Sequence, residues 1–146
     1  MNIGGDLLSV AATGFGLRLL SQMAQKAPGK NVIVSPLGPF QALSLLGFAS
    51  TDPIRREILD TLKIGGIKDE VLDASFERLG QRFATEDRYV QLVLASALWA
   101  GRSVSVDAPL VKLARRWNID LFSGDQVTGD FMQHWRGRKR TGYFLH

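Results

Sequence analysis

Asn31-Val32-Ile33-Val34-Ser35-Pro36, running on through Leu37 into a small-residue apolar stretch that reaches Gly47, is the most specific junction in this chain. Three β-branched residues predict a short strand over Val32–Val34. Ser35 is placed to cap the helix that follows, with Pro36 at the first helical position, where a missing N–H costs nothing. Upstream, Phe15, Leu19 and Met23 stand four residues apart. That spacing puts them on one face of a helix over Leu8–Gln25, weakened by Gly14 and Gly16 and ended by Pro28-Gly29. Downstream, Leu37–Phe48 is apolar nearly all round (Leu37, Phe40, Ala42, Leu43, Leu45, Leu46) and predicts a buried helix. Asp52-Pro53 repeats the cap-plus-proline signal. Ile54, Ile58, Leu59 and Leu62 then line one face until Gly65-Gly66. A fourth helix is predicted over Ile67–Phe83, with Leu72, Phe76, Leu79 and Phe83 inward and Asp69, Glu70, Glu77 and Arg78 outward.

The pattern then changes. Tyr89–Ala100 is apolar on both faces, as a strand covered on both sides is, although periodicity alone does not separate it from a buried helix. Its β-branched and aromatic residues favour a strand. Asp107-Ala108-Pro109 opens a fifth helix, in which Leu110, Leu113, Ala114 and Trp117 are spaced for burial. Asn118 suits the left-handed position that ends it. Ile119–Phe122 alternates as a short strand. The class is α+β: four helices around a short strand, one long buried strand, a helix and a short strand.

A chain of 146 residues is long enough for one domain, burying about 68–70% of its unfolded surface if it folds alone. It contains no cysteine, so disulfides, thiolate nucleophiles and cysteine-ligated metals are excluded. The formal net charge is +4, and residues 131–146 hold Arg136, Arg138, Lys139 and Arg140 with no acid. The excess therefore sits in a basic tail, residues 1–130 are formally neutral, and a basic surface for nucleic acid is not indicated. The N-terminus lacks the basic region of a secretory signal, and Val90–Ala100 is too short to span a bilayer as a helix. A soluble protein without a membrane partner is expected.

Catalytic chemistry finds little support. The histidines, His134 and His146, both lie in the tail and show no metal-binding spacing. Ser35 has no Gly-x-Ser-x-Gly setting and no histidine partner before residue 134. Glu86-Asp87 reads as a solvated turn, and Gly65-Gly66 lacks the Lys-Ser/Thr of a phosphate loop. Arg115-Arg116 beside Trp117 suits the end of a helix. No catalytic residue, metal ligand or cofactor is predicted.

Phe15 and Leu19, then Asn31-Val-Ile-Val-Ser35-Pro36-Leu37, then Ala42, Leu43 and Gly47 together resemble the opening of the serpin family of protease inhibitors. Ala95-Ser96-Ala97-Leu98-Trp99 resembles a segment of the second strand of that family's large central sheet, and Ile119–Asp125 the short strand that follows. The resemblance covers about residues 8–125. It implies a partial domain over 1–130, the N-terminal third of an incomplete serpin fold, with Asn31, Ser35, Pro36, Ala42, Leu43, Gly47, Ala95, Ala97, Leu98 and Trp99 as structural motif positions. Gly38 stands where the family has a second serine, and Ser96 where it has an asparagine. Gly47-Phe-Ala-Ser-Thr-Asp-Pro departs from a Gly-Ala-x-Gly-x-Thr segment. The resemblance therefore implies the ancestry but not an intact sheet-opening switch.

Trp135 falls about where a family tryptophan belongs, and a non-family tail follows over 131–146. One permitted set of codons for Arg136–Leu145, read one base later, gives Ala-Glu-Glu-Asn-Ala-Arg-Gly-Ile-Ser, similar to the family's continuation. A truncated or frameshifted member is expected. The family implies a serine protease as partner, an extracellular location, and inhibition by insertion of a cleaved reactive loop into the central sheet. No such loop is recognised in these 146 residues, so the chain itself is expected to be inactive. The alternatives are an interaction fragment that associates through unpaired sheet edges and an unrelated small enzyme, which would need a polar constellation the sequence does not show.

Overall fold

The computed structural model describes residues 3–84 and 96–124, with side chains over 7–81 and 96–124. The order is α1 (Ile3–Lys26), α2 (Leu37–Ala49), α3 (Ile54–Leu62), α4 (Asp69–Ala84), β1 (Ser96–Ala100), α5 (Ala108–Arg116) and β2 (Ile119–Ser123). The chain divides into two compact units, Met1–Phe76 and Glu77–His146, and the division falls within α4.

In the first unit α1, α2 and α3 pack on one another. Phe40 is the centre of the core: fully buried, it lies 5.8 Å from the Phe15 ring of α1 and 6.1 Å from the Phe76 ring of α4. Leu45, Leu59, Leu62, Ile64 and Leu72 complete that core. Gly14 and Gly16 read as weaknesses of α1, yet Gly16 is a contact. A Cβ there would come within 2.8 Å of the Pro36 ring, so only glycine lets α1 lie against this proline. Arg18 fixes the same helix to the end of α3, its Nη2 donating to the Thr61 carbonyl at 3.0 Å. By length and composition Leu7–Lys26 is also apolar enough to cross a membrane, with a mean hydropathy of 1.2.

Several local expectations are corrected. Val32–Val34 is no strand: residues 31–36 carry no regular structure, and Ile33 is 94% exposed. Extended backbone becomes a strand only when laddered to another, and among the described residues none pairs with it. Ser35 does not cap α2. Pro36 occupies the cap position with helical φ −76° and ψ −22°, no side chain caps it, and the first bond runs from the Phe40 N–H to the Pro36 carbonyl at 2.9 Å. Pro39 has no N–H to give the Ser35 carbonyl, so the backbone ladder starts at the Pro36 carbonyl rather than one residue earlier. Asp52 does not cap α3 either; its carboxylate takes Arg56 at 2.7 Å, and Pro53 is the cap residue. The stop of α3 comes before the Gly65-Gly66 pair. Lys63 turns left-handed, and the Ile64 N–H reaches back to the Leu59 carbonyl while the Lys63 N–H reaches Asp60, a Schellman closure. Finally, α2 is not buried all round. Phe40, Gln41, Ser44, Leu45 and Gly47 are covered, whereas Ala42 and Leu46 are exposed.

In the second unit β1 and β2 pair in parallel, with Ser96 opposite Ile119 and Trp99 opposite Phe122. A parallel pair needs a crossover, and α5 supplies it. Asp107 caps α5, its carboxylate accepting the Leu110 N–H at 3.0 Å, with Pro109 in the first turn. Leu113, Ala114, Trp117 and Ile119 form the core here, and Asn118 leaves the helix with φ 57°. These features agree with the sequence reading. The strand predicted from Tyr89 is seen over Ser96–Ala100; its first part, with Ala95, lies outside the described residues. Ser96–Ala100 is half-buried, with Ala97 exposed, where the sequence reading expects cover on both faces.

Candidate functional site: a helix junction and a two-stranded edge

The predicted motif positions fall into two groups, one in each unit. In the first, Asn31 and Ser35 are exposed, Pro36 is half-buried against Gly16, Ala42 is exposed, Leu43 is half-buried and Gly47 is buried. Gly47 is held by close contact with α3. A Cβ on it would lie 3.2 Å from Ile58 Cγ2 and 3.4 Å from Leu59 Cδ2, which sets how closely α2 approaches α3. Gly38, by contrast, faces open space, with nothing within 4 Å of a Cβ built there. A serine would fit at that position, so the departure from the family residue is not forced by packing.

One residue that no sequence motif singles out binds this group together. Arg55 donates from Nη1 to the Gly47 carbonyl at 3.2 Å and from Nη2 to both carboxylate oxygens of Asp69 at 2.7 Å. Its guanidinium also lies over the Phe48 ring, 5.2 Å from the centroid. It thus joins the end of α2, the start of α3 and the start of α4. The planar, five-donor fork of arginine is suited to such a junction. The pairing spans 14 residues, beyond the reach of any short-range pattern.

In the second unit Ala97 is exposed, while Leu98 and Trp99 are half-buried. Trp99 closes the strand pair at its C-terminal end. Its ring lies 5.4 Å from the Phe122 ring, and its Nε1 donates to the Gly124 carbonyl at 2.8 Å. Gly124 is small for that reason: a Cβ there would come within 3.2 Å of the indole. Among the described residues β1 has one strand neighbour, β2. This arrangement is mechanical. The indole and Gly124 fix the C-terminal end of the pair. Among the described residues no three His, Cys, Asp or Glu side chains are grouped to hold a metal ion. His134, Trp135, the Arg136–Arg140 run and His146 lie outside the described residues.

Helices leading into a parallel strand–helix–strand unit define the N-terminal portion of an α+β fold that two solved structures share. Cleaved kallistatin complexed with heparin superposes with a TM-score of 0.75 at 20% identity, covering 94% of this chain and 42% of that one. Reactive-loop-cleaved human thyroxine-binding globulin superposes with a TM-score of 0.72 at 19% identity, covering 97% and 41%. At the level of sequence, a serine protease inhibitor of Rattus norvegicus is 29% identical over 128 residues, 86% of this chain and 30% of that protein. Serpin A3-7 of Bos taurus is 32% identical over 107 residues, 72% of this chain and 26% of that protein. The sequence model of one family, serpin (serine protease inhibitor), matches residues 10–128, and the chain belongs to that family. The family is one of protease inhibitors rather than enzymes. The chain spans under a third of the length of these two relatives.

Proposed function

We propose that these residues are the N-terminal part of a serine-type endopeptidase inhibitor that works by inserting a cleaved reactive loop into its central sheet, and that the 146-residue chain by itself does not inhibit. The observation carrying this reading is the family match over residues 10–128, coupled with a span of 30% of the rat inhibitor. Insertion requires a strand bed on both sides of the incoming loop, and the described residues provide β1 and β2 alone. The partner of the whole protein is a serine protease, and its location is extracellular. Support for α1 as a core helix of that fold, rather than a membrane segment, comes from its ties to Pro36, Phe40 and Thr61. Residues 131–146 are read as a tail outside the family pattern, because the family match stops at residue 128. Serpin-like sequence in the +1 frame of the gene after Trp135 supports a frameshifted origin for that tail; its absence overturns it.

The activity test is a titration. Trypsin-, chymotrypsin- and subtilisin-like proteases keep full activity with the purified 146-residue chain in stoichiometric amounts, and stoichiometric loss of activity in any of them refutes the proposal. A second reading draws on the edges of the sheet, which has two strands among the described residues. On that reading the chain is a non-inhibitory fragment that pairs with itself or with an intact homologue, since such edges template further strands. Size-exclusion chromatography, with and without that homologue, separates the two: concentration-dependent complexes support pairing, and a monomer at all concentrations excludes it.

A further inference from the structure

We draw no further inference here: the strongest candidate, the apolar outer face of α1 that carries Leu7, Val10 and Leu17, carries nothing because nothing in the structure shows what covers it.

Discussion

A methyl group at position 16 would lie 2.8 Å from Pro36 Cγ and 2.9 Å from its Cβ. The proline ring is rigid and held at the head of α2, so the helices must part to admit the methyl. Gly16→Ala should therefore cost about 1–3 kcal/mol, as overpacking does, read as a lower urea midpoint. The control is Gly38→Ala, where a Cβ meets nothing within 4 Å; there the stiffer unfolded chain should leave stability unchanged or raise it by up to about 1 kcal/mol. Equal losses at both positions would count against the close approach. The two caps give a second contrast. Asp107→Ala removes a hydrogen bond to the Leu110 N–H and should cost about 0.5–2 kcal/mol. Ser35→Ala removes no cap and should melt as the parent does. Both residues read as caps in the sequence because each precedes a helix start. In the structure Asp107 makes the cap bond, whereas Pro36 rather than Ser35 stands at the cap position of α2.

Among the elements, α3 is short, at nine residues, and a helix of that length does not sustain itself in water alone. Its ends are tied to neighbouring elements, by its own Arg55 at the start, which reaches Gly47 and Asp69, and by Arg18 on the Thr61 carbonyl at the finish. A double-mutant cycle of Arg55→Ala and Asp69→Ala should give a coupling of about 0.2–1 kcal/mol, since both side chains are partly exposed, and the coupling should shrink with salt. A coupling that salt does not alter would mean the pair is not electrostatic. In the other unit Trp117 is 1% exposed and anchors α5, so Trp117→Ala should cost about 3–5 kcal/mol in urea unfolding. The helices α1, α2, α3, α4 and α5 are each legible from apolar spacing and breakers. What is not legible is long-range. Whether Val32–Val34 becomes a strand depends on a partner strand, and the stop at Lys63 depends on a closure that any residue tolerating left-handed φ can make.

For the whole molecule, the family is legible from the Ser35–Pro36 junction and the Ala97-Leu98-Trp99 segment, although neither carries the inhibitory chemistry. Both are packing motifs: one seats α1 on Pro36, the other closes β1 on Gly124. Arg55, which holds three helices together, leaves no trace in the sequence because its partners lie 8 and 14 residues away in a region of irregular spacing. The functional claim rests on how much of the inhibitor these residues supply. On the proposed reading the cleaved loop must enter a complete sheet to trap a protease, and this chain spans 30% of the rat inhibitor it resembles. The direct measurement is a denaturing gel of the purified 146-residue chain after incubation with trypsin-, chymotrypsin- and subtilisin-like proteases. The predicted result is no detergent-stable band above the free protease at any ratio; such a band with even one of them would contradict the account.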